Sequence, residues 1–318
     1  MAFGIFDAHC DTITTLQAED NLYDAPRNFN LKQLENYDYF TQVMAIWVDI
    51  AKDGDSLWDN LQKHIARFYL ELEKNPSVKL LKTKNDIFES KKGTNLILGI
   101  EGGEAVGKDI ANVEKLYNQG VRLITLTWNN PYAISDTNCI TVECLNGEKD
   151  YKGGLTKFGK EVVKEMNRLG MMIDVSHLSD KGFYDLLETS SKPFIASHSN
   201  SRNLCNHPRN LTDDMFKELI KIGGVAGINF YHAFLTTEKA EADMTDIVRH
   251  IEHFMSLGGE KNVGIGTDFD GIDYLPKGFR GACDLGTIYE ALLKLNYNED
   301  IVRDIMCGNM ERVFAECL

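Results

Sequence analysis

Basic residues are in short supply. The 318-residue chain carries 34 Lys and Arg against 48 Asp and Glu, a net charge of −14. A surface of that sign repels phosphate backbones and anionic headgroups, so nucleic acid and membrane are excluded as principal partners. A local basic contact inside a site stays open. Long apolar runs are missing as well, and none reaches the length of a transmembrane helix. The N-terminal stretch MAFGIFDAHC lacks the basic segment and apolar core of a secretion leader, and ERVFAECL at the other end lacks a hydrophobic anchor tail. The expected location is the cytoplasm. The seven cysteines include no CxxC pair, which reads as scattered free thiols in a reducing compartment. Cys139 and Cys144 lie close enough in sequence to bridge a loop, but nothing requires it. No GxGxxG follows the first apolar run, which argues against a dinucleotide-binding open sheet. Internal repeats, low-complexity segments and linkers are also lacking.

Hydrophobic residues make up 43% of the chain, ample for a large core. They fall into eight short, near-continuous apolar runs: 3–6, 43–50, 95–103, 121–128, 171–177, 193–199, 224–230 and 262–271. Such runs suit strands buried on both faces of a parallel sheet. Amphipathic stretches at 56–74, 112–120, 156–170, 213–224 and 246–259 separate most of them, and several end in Gly, a helix stop signal. Eight strands alternating with helices predict a (β/α)8 TIM barrel, with residues 1–318 as one domain. A doubly wound open sheet is the alternative. Residues 129–155 form a long polar loop after the fourth run.

Barrel chemistry gathers at the C-terminal strand ends. The first run is followed by His9 and Asp11, one residue apart and so on one face of an extended chain, with Cys10 on the other. The third run carries Glu101, the fifth ends in His177, the sixth contains His198 and the eighth contains Asp268. Each has a plain structural alternative: Glu101 as the cap of a Gly-rich turn, His177 as a polar residue before a helix capped by Ser179, Asp268 as a turn residue. Independent structural roles give no reason for all six to coincide at strand ends. Their number exceeds the ligand set of one catalytic zinc and fits two metals sharing a carboxylate. His64, His250 and His253 fall in helical stretches and read as outer-face residues. His207 and His232 read as loop or packing residues.

The segments DAHCDT, GIEGG, ITLTWN, IDVSH, SHSNSR with HPRN, and GTDFDG occur in that order. Together they resemble the membrane (renal) dipeptidase family of binuclear zinc dipeptidases. The resemblance runs from residue 6 to the end of the chain. It implies that His9 and Asp11 bind one zinc, that His177 and His198 bind the other, and that Glu101 bridges the two. It implies that Arg209 holds the substrate's free carboxylate and that Asp268 lies beside the attacking water. Two Zn²⁺ ions can hold a hydroxide for attack on the peptide carbonyl, with Asp268 passing the proton to the leaving amine. The family's tolerance of a C-terminal D-residue makes L-Xaa-D-Xaa dipeptides expected substrates. The expected partners are a small dipeptide and, at most, a second copy of the chain in a homodimer.

Two positions depart from the family. Trp128 stands where mammalian members have a His, and it reads as a wall of the pocket. Glu104 stands where EGGH is common, and it reads as a charge near the mouth that could meet a substrate amine. The rival readings are a binuclear hydrolase of N-acyl amino acids and a non-catalytic metal-binding barrel. The first commonly uses a carboxylated Lys at the end of strand four, where this chain has Trp128 and Asn129. The second has no need of Asp268 and Arg209.

Overall fold

The computed structural model describes residues 3–138, 153–238 and 241–318. Cys139, Cys144 and most of the long polar loop lie outside the described residues. Nine parallel strands form one sheet: β1 Gly4–Cys10, β2 Tyr39–Trp47, β3 Lys79–Leu80, β4 Gly93–Glu101, β5 Val121–Thr125, β6 Met172–Asp174, β7 Ile195–Ala196, β8 Val225–Ile228 and β9 Val263–Ile265. β1 pairs with both β2 and β9, and β2 pairs with β4 from Tyr39↔Gly93 to Trp47↔Glu101. The sheet therefore closes into an eight-stranded barrel, and the open-sheet alternative falls. The two-residue β3 lies outside the ring. It pairs with Asn95 and Leu96 of β4, below the stretch Leu98–Glu101 that β5 takes.

The expected helices form at Leu57–Lys74, Ala111–Asn118, Lys157–Leu169, Asp213–Lys221 and Met244–Ser256. Their starts follow ordinary capping chemistry. Thr156, Thr212 and Asp243 each accept a backbone N–H of the first turn, and Gly170, left-handed at φ 78°, stops Lys157–Leu169. Ser179 caps the helix Asp180–Thr189 as expected. His250 departs from expectation. It is buried, accepting from Ser201 N–H at Nδ1 and donating from Nε2 to Leu235 O. The hydrophobic period marks the face of this helix but not which polar residue tucks under its edge.

Two apolar layers hold the fold. The larger lies between strands and helices. The smaller fills the barrel floor with one residue from most strands: Phe6, Val43, Ile97, Leu123, Met172, Ile195 and Val225. β9 contributes Gly264, and Met310 of the C-terminal helix Asn309–Cys317 fills that gap, since a Cβ there would meet Met310 Cε at 2.9 Å. Phe314 of the same helix packs on Phe6 with ring centroids 5.0 Å apart. Two residues further along each strand the inward positions are small: Ala8, Ala45, Gly99, Thr125, Asp174, Ser197, Gly227 and Gly266. This thin middle layer leaves room for larger polar side chains above it.

Candidate metal centre and active site

β1 places His9 by a change of parity. Phe6 lies inside the barrel, yet Cys10, four residues on, packs outward with its Sγ 3.4 Å from Met44 Sδ. Strict alternation would put both on one face. The pairing register with β2 slips between Asp7 and Cys10, and this bulge turns His9 and Asp11 inward. Asp7 fastens the bulge to the next strand. Its carboxylate accepts from Thr267 N–H at 2.8 Å and Thr267 Oγ1 at 2.6 Å. His177 and Asp268 come three residues after β6 and β9, at φ 72° and 64°. Left-handed backbone is uncommon outside glycine, and three of its four non-glycine occurrences among the described residues, His177, Asp268 and Asp270, line the cavity of this site.

Six predicted residues converge at the mouth. Glu101 Oε1 lies 3.0 Å from His177 Nε2, 3.5 Å from His198 Nε2 and 3.7 Å from His9 Nε2. His9 Nε2 is also 3.8 Å from Asp11 Oδ2 and 3.9 Å from Asp268 Oδ1. Two triplets bring ligand atoms within 4.8 Å of one another: His9, Asp11 and Glu101, and Glu101, His177 and His198. Glu101 belongs to both.

The hydrogen bonds decide which nitrogens are free for a metal. Ser197 Oγ donates its one hydrogen to Asp174 Oδ2 at 2.6 Å, so it accepts from His198 Nδ1 at 2.7 Å. Asn129 Oδ1, an acceptor, sits 3.1 Å from His177 Nδ1. Both rings thus carry the proton on Nδ1 and turn an Nε2 lone pair inward. His9 Nδ1 and Nε2, His198 Nε2 and Asp11 Oδ1 are buried with no hydrogen-bond partner among the described residues. Buried polar atoms without partners are costly, and a cation on these atoms would satisfy them. Asp174 forms a third triplet with His9 and His198. Its oxygens are already engaged by Thr125 Oγ1, Ser197 Oγ, Ser176 N–H and Ser197 N–H, so it is a support and not a ligand.

The electrostatics ask for positive charge. Burial pulls the His9 imidazole down, but the Glu101, Asp11 and Asp268 carboxylates outweigh it and lift it to about 10. Burial holds His177 and His198 well below the usual imidazole range, helped by Arg209 and His9, so both are neutral. Glu101 is pushed well above the carboxylate range by burial and by Asp11. Asp268 rises to about 7, mainly through burial, while His9 opposes the rise. Three carboxylates around one imidazole attract a proton where they could attract a divalent cation. The residues present therefore fit a metal pair.

A cavity of about 250 Å³ opens over the cluster. Asp11, Glu101, His177 and Asp268 form its floor, and Arg209, Trp128, Asn129, Trp47, Tyr231 and Phe234 its sides. Arg209 is buried with its guanidinium carbon 5.4 Å from the Phe234 ring centre, and its Nε and Nη1 have no partner among the described residues. Burial lowers it only to about 10, so it stays cationic at neutral pH. Its backbone N–H donates to His207 Nδ1 at 3.2 Å, which gives His207 a positioning role. Trp128 lines the cavity. Glu104 does not stand at the mouth. It is 2% exposed, does not line the cavity, and sits behind Trp128, whose backbone N–H donates to Glu104 Oε1 at 3.4 Å. The short turn after β4 folds it inward, and burial raises its carboxyl to about 7.

Sequence reasoning missed Asp7, Asp174, Asn229 and Trp47. Asn229 Nδ2 donates to Asp268 Oδ2 at 2.9 Å. Signals were present for three of them. Asp7 is an acid directly after the first apolar run and Asp174 an acid inside the fifth, and Trp47 is the last residue of β2, directly opposite Glu101.

Fold and site together define a class: a parallel barrel whose mouth holds a buried cluster of imidazoles and carboxylates of metal-binding type. The profile of the membrane dipeptidase family, peptidase family M19, matches residues 1–317, and the chain belongs to that family. An uncharacterized dipeptidase of Schizosaccharomyces pombe is 36% identical over 225 residues, 70% of this chain and 52% of that protein. The chain thus spans about half the length of that curated relative. A solved metallopeptidase of the same family, dipeptidase AC, superposes with a TM-score of 0.86 at 22% identity, over 100% of this chain and 99% of that one. A metallopeptidase from Rhodobacter sphaeroides, solved with a phosphinate mimic of the dipeptide L-Ala-D-Ala, gives 0.83 at 22% identity over 100% of both chains. The (β/α)8 fold is common to all three. No helix among the described residues is long and apolar enough to cross a membrane.

Proposed function

We propose that the chain is a zinc-dependent dipeptidase that hydrolyses the peptide bond of dipeptides, L-Xaa-D-Xaa among them. One observation carries the reading. A buried arginine with unpartnered Nε and Nη1 shares a small cavity with the His177 imidazole and with Glu101, a carboxylate common to two ligand triplets. His9 and Asp11 would hold one zinc, His177 and His198 the other, and Glu101 both. When bound, two zinc ions supply Lewis-acid polarisation of the scissile carbonyl and lower the pKa of the attacking water.

The remaining steps belong to the chain. Arg209 pairs its planar fork with the substrate's free carboxylate and so limits the length of peptide that fits. Asp268, anchored at Oδ2 by Asn229, takes the water's proton at Oδ1. The C–O bond forms as that proton is taken, and Asp268 returns the proton to the leaving nitrogen as the C–N bond breaks. Tyr231 and Phe234 flank the carboxylate end and shield it from water. Five free cysteines among the described residues fit a reducing cytoplasm.

The test assays zinc-loaded protein on L-Ala-D-Ala, on its C-terminal amide and on N-acetyl-alanine, with metal content measured. Wild type should hold two zinc ions per chain and favour the dipeptide. Arg209→Met should lose roughly one to two decades in kcat/KM on the dipeptide and far less on the amide, as expected for losing about 1.5–3 kcal/mol of charged hydrogen bonding. Turnover of N-acetyl-alanine alone would replace this reading with the deacylase one.

A further inference from the structure

Barrel order fixes which groups face each other across the mouth. Counting round the closed ring from β1, Trp47 ends the second strand and Trp128 follows the fourth. Arg209 lies in the connection after the sixth strand, and Phe234 in that after the seventh. Trp47 and Arg209 therefore stand on opposite walls of one cavity, with Trp128 stacked beside Trp47 and with Glu101 and His177 lining the same cavity. A ligand anchored by a carboxylate on Arg209 that extends straight across the cavity meets the indoles.

Those indoles form one surface. The Trp47 and Trp128 rings stack with centroids 5.0 Å apart and planes 19° apart. Both are half-buried and both line the cavity. The pair is braced from behind. The Trp128 backbone N–H donates to the buried Glu104, and the Thr137 hydroxyl donates to the Trp128 backbone O. Gly102, at φ 106°, permits the close fit, because a Cβ there would lie 2.5 Å from Glu104 Oε2 and 3.3 Å from Trp128 Cβ. Trp47 pairs with Glu101 in the ladder between β2 and β4, and its backbone N–H donates to Thr14 Oγ1 at 3.4 Å. Nothing in the metal cluster needs two stacked indoles. A rigid apolar wall at the end of a polar cavity is what recognises an apolar side chain.

We infer that Trp47 and Trp128 jointly bind the side chain of the substrate's N-terminal residue and select large apolar or aromatic side chains there over alanine. The inference rests on the dipeptidase reading and adds to it the direction in which the dipeptide lies. The preference belongs to the first residue alone, since the second sits at the Arg209 wall.

The experiment compares Phe-D-Ala, Leu-D-Ala, Ala-D-Ala and Ala-D-Phe with zinc-loaded wild type, Trp47→Ala, Trp47→Leu and Trp128→Ala. Titration with Phe-first and Ala-first phosphinate mimics, followed by tryptophan emission, gives a second readout, because two of the three tryptophans lie in this wall. Wild type should favour Phe-D-Ala and Leu-D-Ala over Ala-D-Ala by tenfold or more in kcat/KM and bind the Phe-first mimic more tightly. Trp47→Ala should shrink that preference to within threefold and leave the Ala-D-Phe to Ala-D-Ala ratio unchanged. Trp47→Leu, which keeps apolar volume but loses the aromatic face, should lower the Phe-D-Ala to Leu-D-Ala ratio of kcat/KM below its wild-type value even if the alanine variant does not fold. Equal losses on all four substrates, or hydrolysis by wild type with no first-residue preference, would overturn the inference and leave the dipeptidase reading standing. No hydrolysis of any dipeptide would overturn both.

Discussion

Ser197 has a single hydroxyl hydrogen, and its donation to Asp174 leaves the oxygen only the role of acceptor towards His198. Ser197→Ala removes the group that fixes the His198 tautomer. Zinc affinity should then fall 10–100-fold with the fold intact, read by competition with a chelating dye alongside circular dichroism. Unchanged affinity would mean that the Asp174 network supports only the backbone. Glu104 makes a different prediction. Its folded pKa is about 7 against 4.5 for a free carboxyl. Below pH 4.5 both states hold the proton. Between 4.5 and 7 the unfolded chain gives it up while the folded chain keeps it, so stability falls as pH rises through that window. The full penalty above pH 7 is roughly 3 kcal/mol at about 1.4 kcal/mol per pH unit. Glu104→Gln keeps an acceptor for Trp128 N–H and loses the titration. Its stability relative to wild type should rise between pH 5 and pH 8 in urea unfolding, and a flat difference would contradict the burial argument.

The strands and their exits show where the sequence was informative. Eight apolar runs at regular intervals marked the barrel, because parallel strands are buried on both faces and read as continuous hydrophobicity. Five ligand-type residues and Asp268 at the ends of those runs marked the mouth. Three things stayed out of reach. The bulge in β1 is a matter of pairing register, which no alternation pattern reports once both faces are apolar. The short reach of β6 and β7, three and two residues, leaves His177 and His198 on loops beyond them, and at His177 a left-handed φ and not strand parity aims the side chain. Glu104 was misplaced because a charged residue in a Gly-rich turn reads as exposed, and only the tertiary fold puts Trp128 in front of it. The exit of β9 carries its own test. A Cβ on Gly271 would collide with Asp11 Oδ2 and meet Asp268 Oδ1 at 2.5 Å. Gly271→Ala should therefore displace a presumed ligand and the presumed base together, lowering zinc content at the His9 position and cutting kcat at least tenfold. A variant with full metal content and full rate would show that the loop yields without moving either carboxylate.

For the whole molecule, the cluster is a concentration of like charge that a cation relieves. Five of the eight strands, or the loops that leave them, contribute to it: β1, β4, β6, β7 and β9. Occupancy should thus stabilise the barrel globally and not one loop. Zinc at a thousandfold above its dissociation constant adds about 4 kcal/mol. In a chain of this size that corresponds to a Tm shift on the order of 10 °C. Chelation should lower Tm by that amount in one cooperative transition, and zinc should restore it. An unchanged Tm with measured loss of metal would mean that the strands hold the cluster without help.

The floor of the barrel also sets an order of events during synthesis. β1 needs β9 as a neighbour, and Phe6 and the gap at Gly264 need Phe314 and Met310 from the helix Asn309–Cys317. A chain made from residue 1 onward cannot close its ring until residue 265 has left the ribosome, and cannot seal the floor until some fifty residues later. Until then β1 and β8 present open edges, and His9 lacks the strand that brings Asp268 beside it. Nascent intermediates of this kind expose the apolar surface and strand edges that chaperones recognise. The metal-binding cluster is thus among the last parts of the molecule to form, and a half-made chain cannot assemble it.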